Sequence, residues 1–155
     1  MISEFELIEW LRKSIPRHLQ GPLGIGDDAE ILNTPKGQTL VVTTDTIVDG
    51  VDFISGKLSP DKIGRKALAV NLSDLAAMAA EPHGFLVALG LPKRFASTVW
   101  LRRFYRGLLQ LASRYKMKCL GGDLSASPNL FISITAVGKA LGRQIISRKG
   151  VKAGD

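Results

Sequence analysis

Residues 59–92 read SPDKIGRKALAVNLSDLAAMAAEPHGFLVALGLP, and the fold turns on this stretch. Ser59 is placed to cap a helix, Pro60 suits its first position and Asp61 its first turn. Small and apolar residues follow at helical spacing, so the helix is expected to reach about Ala80 and to be stopped by Pro82. GFLVALGLP, an apolar run bounded by Gly84 and Pro92, then reads as a strand. Upstream, Ser3 and Glu6 form a capping box, and Phe5, Ile8 and Leu11 recur at helical spacing, predicting a helix over 3–14 that ends before Pro16. AEIL (29–32) and TLVVTTD (39–45) flank the turn-rich NTPKGQ and read as a strand pair. Downstream, residues 97–116 predict a second long helix, KCLGG (118–122) a strand and LFISITAVGKA (130–140) another. The order is helix, strands, helix, strand, helix, strands: an α+β fold with helices mainly on one face of a mixed sheet.

The chain has 155 residues, enough for one domain with a real core, and 45% hydrophobic with 23% charged residues is a globular balance. No apolar run is long enough to span a membrane, since Asp74, Glu81 and Pro82 interrupt the best candidates. The N-terminal stretch is acidic and amphipathic, unlike a signal peptide, so the chain reads as cytoplasmic. A single cysteine, Cys119, excludes an internal disulfide framework and a multi-cysteine zinc site, and is expected to be a small core residue. The formal charge of +7 raises the question of nucleic acid. Lys93, Arg94, Arg102, Arg103, Arg106, Arg114, Lys116 and Lys118 do bunch, but they surround a helix whose other positions are apolar. A solvated helix face accounts for them, and no nucleic-acid signature accompanies them.

The acidic residues carry more information. Of 14, seven stand among small residues: Asp27, Asp28, Asp45, Asp49, Asp52, Asp74 and Asp123. Asp27 and Asp28 adjoin on a Gly-Ile-Gly turn, where like charges need solvent, a cation or a basic neighbour. Asp27, Asp45 and Asp123 share one design, an apolar strand or turn ending in a carboxylate flanked by Gly, Ser or Thr. Such strand ends collect functional groups, and small neighbours let phosphate or metal approach the backbone. Asp74 lies within a helix, three residues from Asn71, on the face expected to be buried. A metal is one partner that offsets such burial; a capped backbone turn is the plainer one. Oxygen ligands without a Cys/His cluster favour a hard cation such as magnesium. GIGDD is neither a Walker A loop nor a full dinucleotide fingerprint.

GIGDDAEIL, VVTTDTIVDGVDF, KALAVNLSDLAAMAAEP and LGGDLS, in this order, resemble thiamine-monophosphate kinase, within the superfamily of aminoimidazole ribonucleotide synthetase. SRKGVKAGD resembles the segment closing that kinase's first domain. The resemblance implies transfer of the γ-phosphate of ATP to thiamine monophosphate, giving thiamine diphosphate. It makes residues 1–155 a single N-terminal domain binding ATP and magnesium, with the family's C-terminal domain outside the chain. By position, Asp27, Thr43, Thr44, Asp45, Asp74 and Asp123 match magnesium ligands; Tyr105, Gly122, Asp123 and Arg148 match ATP contacts. Asp52 stands where the family has a substrate-touching histidine, and no catalytic residue is assigned. The resemblance further implies a homodimer with the nucleotide between two first domains. Two alternatives stay open: a superfamily relative with another small acceptor, or a catalytically incomplete dimeric nucleotide-binding module.

Overall fold

A computed structural model describes residues 3–35, 37–141 and 146–147. Helix α1 (Glu4–Ser14) begins on the expected capping box, with both halves formed at Ser3 and Glu6. After a short 3₁₀ turn come strands β1 (Glu30–Asn33) and β2 (Thr39–Val48), then helix α2 (Pro60–Ala77) and strand β3 (Ala80–Leu91). Helix α3 (Thr98–Arg114), strand β4 (Lys118–Ala126) and strand β5 (Phe131–Ala140) complete the order. The α+β reading holds. The sheet runs β1-β2-β5-β3-β4 and is mixed: β3 and β4 are parallel, and the other pairs antiparallel.

Alternation along the strands decides what faces the helices. Val41, Thr43 and Ile47 of β2, Ile132, Ile134 and Ala136 of β5, and Phe85, Val87 and Leu89 of β3 are buried against the helical layer. Ile63, Leu68 and Leu75 of α2, with Met78 at its C-cap, close this core, and Phe104 and Leu108 of α3 join it. Trp100 stacks on Phe104 with ring centroids 5.3 Å apart. Among the described residues no helix packs on the other sheet face, where Thr44, Thr46 and Leu86 are exposed.

Two expectations need correction. Helix α2 ends at Ala77, because Ala79 takes a left-handed φ of 50°, and Pro82 lies inside β3 rather than ending the helix. The proline is tolerated because β4 pairs with β3 only from Gly84 onward, so that side of the strand is open at Pro82. Cys119 is exposed, not core: β4 is the sheet edge, and every one of its residues is exposed. The basic face of α3 is as expected. Arg102, Arg103, Arg106 and Arg114 are exposed, and Arg103 and Arg106 reach Asp61 at 3.5 and 3.8 Å. Among the described residues no helix is long and apolar enough to cross a membrane.

Candidate functional site

Strand β2 positions the first side chains. Its alternation sends Thr43 and Asp45 toward α2, where Asp74 waits in the last helical turn. Thr43 Oγ1 donates to Asp74 Oδ2 at 2.6 Å, and the same hydroxyl lies 3.1 Å from the carbonyl oxygen of Asp28. Thus Asp74 is half-buried and bound to a side chain, not to a backbone turn, while Asn71 beside it is fully buried. Burial, then the charge of Asp74 and a hydrogen bond to it, then Asp52, push the Asp45 carboxyl above its usual range. Asp74 also stands near the negative end of the α2 dipole, which gives its charge no relief. Two carboxylates converge here with too little compensation, and a divalent cation would reverse the cost.

The donors are all oxygen, as magnesium requires, and that ion commonly uses one or two carboxylates with water and substrate phosphates completing its shell. Asp45 and Asp74 fit this pattern. Among the described residues, no group of three or more His, Cys, Asp or Glu side chains makes a ready metal cage. Phosphate oxygens would therefore have to supply the remaining ligands.

The Gly-Ile-Gly-Asp-Asp loop lies beside β2 and borders a cavity of about 290 Å³ whose lining includes Gly26, Asp27, Asp28, Thr43 and Thr44. Asp27 Oδ1 accepts the Asp28 N–H at 3.1 Å. What fixes the loop is a residue sequence reasoning passed over. Glu30 accepts N–H bonds from Leu23 and Gly24 at 3.0 Å each and from Ile31 at 2.8 Å. Its only signal in the sequence is a charge at the first residue of a short strand. Burial alone would raise the Glu30 carboxyl, but the three N–H bonds and the charge of Arg17 outweigh it and hold it below the ordinary 4.5. A carboxyl lowered on folding contributes stability above its unfolded pKa and loses it as pH falls through the folded value. Glu30→Gln should therefore cost about 1–2 kcal/mol at neutral pH. Urea melts at several pH values should show that difference shrinking below about pH 4.5; a pH-independent difference refutes the role.

Thr44 diverges from its neighbours. Its hydroxyl points to the open face, 3.1 Å from Thr135 Oγ1 and bonded to the Ile134 carbonyl at 3.2 Å. Asp52 lies on the turn after β2, where its carboxylate accepts the Val48 N–H at 2.8 Å. The Asp49 carboxylate is tied down by Ser55 Oγ at 2.6 Å and lies 3.5 Å from Arg94, and it serves the turn itself.

The nucleotide candidates of β4 stand at the far edge of the sheet and do not share one face. Gly122 shares a row with Val87, Ile134 and Asp45, and a Cβ there would fall 1.9 Å from the Val87 carbonyl oxygen. Asp123 is on the next row, opposite Ala88, Ser133 and Thr46, so it faces the open side. Three strand spacings, about 14 Å, separate it from β2. Its carboxylate accepts from Ser125 Oγ at 2.7 Å. Tyr105 is half-buried against Phe104, and burial and then Cys119 push its phenol up. Within one chain, then, Thr43, Asp45 and Asp74 meet. Thr43 also borders the cavity of Asp27 and Asp28, whose lining takes in Thr44 as well. The Thr44 hydroxyl and Asp123 face the open side of the sheet. Arg148 and most of SRKGVKAGD lie outside the described residues.

The family description "AIR synthase related protein, N-terminal domain" matches residues 26–140. The thiamine-monophosphate kinase of Synechococcus elongatus is 43% identical over 130 residues, covering 84% of this chain and 39% of that protein. The Escherichia coli K12 protein of the same name is 40% identical over 154 residues, 99% of this chain and 46% of its own length. A solved structure, AaThiL complexed with AMPPCP and TMP, aligns with a TM-score of 0.83 at 31% identity, over 96% of this chain and 45% of that one. The chain thus spans less than half the length of these relatives.

Proposed function

Since the chain belongs to the AIR synthase related proteins as their N-terminal domain, we propose that it is the ATP- and magnesium-binding part of a thiamine-monophosphate kinase. The observation that carries this is the Thr43–Asp45–Asp74 convergence beside the paired aspartates, in a chain similar to a protein complexed with AMPPCP and TMP. In this reading the γ-phosphate of ATP passes to the phosphate of thiamine monophosphate. Two polyanions must approach, so neutralising charge is the main task. Asp45 and Asp74 hold magnesium, Thr43 orients Asp74, and Glu30 fixes the loop that brings Asp27 to the cavity bordered by Thr43. Gly122 lets β4 lie close against the Val87 backbone, which sets the position of the nucleotide-binding turn that carries Asp123.

The open sheet face is the place for a second copy, because its exposed Thr44, Thr46 and Leu86 form a surface that no helix among the described residues covers. A nucleotide between two copies would meet Asp123 and Thr44 there, which accounts for their facing away from Asp45. The working form is a homodimer in the cytoplasm.

Titration calorimetry with AMPPCP and magnesium tests the reading. The chain should bind one nucleotide per protomer, only with magnesium, in a species that sediments as a dimer. Asp45→Asn should weaken this binding at least tenfold, yet leave the metal-free melting temperature unchanged or raised, since it removes a repulsion with Asp74. Equal nucleotide affinity with and without magnesium sinks the proposal.

A further inference from the structure

The loop that carries Asp27 has little reason to hold one shape by itself. Residues 20–28, QGPLGIGDD, include three glycines, and each adds backbone freedom that must be lost on ordering. Side chains supply the order. At the loop's entry the Arg17 guanidinium donates to two consecutive carbonyls, Nη1 to Gly21 at 2.5 Å and Nη2 to Pro22 at 2.6 Å. In the middle, Glu30 takes the N–H groups of Leu23 and Gly24. Gln20 ties the loop to α1 by donating to the carbonyls of Arg12 and Ile15, which the helix end leaves without an intrahelical partner. Thr43 Oγ1 stands at the exit, 3.1 Å from the Asp28 carbonyl oxygen. The fit is close. A Cβ at Gly21 would fall 2.0 Å from Glu30 Oε2, and one at Gly24, whose φ is 82°, would fall 3.3 Å from Arg17 Nη1. Arg17 does not border the aspartate cavity. It lines a separate cavity between α1 and the loop, and Gly24 and Ile25 line both.

We propose that Arg17 is a positioning residue for cation binding: its guanidinium, spanning two carbonyls, holds the loop in the shape that presents Asp27 to magnesium. This rests on the kinase reading above and adds to it the group that shapes the cation site before the ion arrives. Arginine suits the task because its planar fork serves two acceptors at once in a fixed geometry, which the single ammonium of lysine does not. Its charge also acts on the Glu30 carboxylate, so the two clamps on the loop support each other. Without Arg17, ordering residues 21–22 falls to the binding step, and fixing the backbone of one residue is worth a factor of about ten in affinity. In this role Arg17 touches neither nucleotide nor ion, so its loss shows in the magnesium requirement.

Calorimetry of AMPPCP binding to the 155-residue chain at stepped magnesium concentrations reads the effect. Arg17→Met should raise the magnesium concentration for half-maximal binding roughly tenfold. At saturating magnesium its AMPPCP affinity should return to within about twofold, the usual size of a change outside the contact set. Amide hydrogen exchange at residues 23–28 should quicken without metal, and magnesium with AMPPCP should restore the protection. Arg17→Lys keeps the charge and one donor bond, so its magnesium requirement should fall between the two; it decides the matter if Arg17→Met does not fold. Combining Arg17→Met with Glu30→Gln should raise the requirement by less than the product of the single changes, because both act on one loop. If the substituted chains melt lower but keep the original magnesium requirement, Arg17 only braces the fold and the proposal falls. If the unsubstituted chain binds no AMPPCP at any magnesium concentration, the kinase reading falls and this inference with it.

Discussion

The purified 155-residue chain is expected to bind AMPPCP with magnesium and yet to form thiamine diphosphate at least 10⁴-fold more slowly than the full-length Escherichia coli relative. The reason lies in what the chain brings together. It places two carboxylates and one hydroxyl on the helical side of the sheet, and Asp123 on the other. Its relatives carry more than as many residues again beyond the aligned stretch. Direct transfer between phosphates needs the acceptor oxygen in line with the γ-phosphate, and orientation of that kind accounts for about 7–11 kcal/mol of a barrier. Even the lower figure corresponds to about five powers of ten in rate. A coupled assay for thiamine diphosphate with magnesium, ATP and thiamine monophosphate measures it. Turnover within tenfold of the relative would show that one domain holds a complete site.

Replacing Gly107 by alanine should destabilise the chain by about 2–3 kcal/mol, lowering the melting temperature by roughly 5–10 °C. On propensity alone the change would stabilise α3 by about 1 kcal/mol. Packing opposes it. A Cβ at Gly107 would sit 1.8 Å from the Asp61 carbonyl oxygen, and one at Gly64 would sit 2.2 Å from that of Phe104. These glycines face each other's helices, so α2 and α3 touch backbone to backbone. The helices would have to separate, and α2 carries Asp74. Gly107→Ala should therefore also weaken magnesium-dependent nucleotide binding. A calorimetric scan showing an unchanged or higher melting temperature refutes the argument.

Much of the fold was legible in the residues because the relevant signals are local. The capping box at Ser3 and Glu6, Pro60 after Ser59, and the apolar strands are each set by a few neighbouring side chains. The same holds for the small-residue contexts of Asp27, Asp45 and Asp123. Errors arose where a neighbour in space decided the outcome. Pro82 read as a helix stop, yet it sits in β3 because β4 pairs only from Gly84. Cys119 read as core, yet it is exposed because β4 is the edge.

The sequence by itself determined the α+β order, the α1 cap and the set of oxygen donors, since these depend on spacing and residue type along one chain. Only the tertiary structure decided which donors meet. Alternation along β2 separates Thr43 and Asp45 from Thr44, and strand register puts Gly122 on the Asp45 row but Asp123 on the next, facing away. Glu30 gained its role from contacts to residues 23–24 across a loop, and Lys66 reaches from α2 to the Asp52 carbonyl of the preceding turn. No periodicity encodes such pairings. They arise when burial of the sheet's apolar face fixes the helices over it, and the polar groups at the rim must then take whatever partners that packing leaves them.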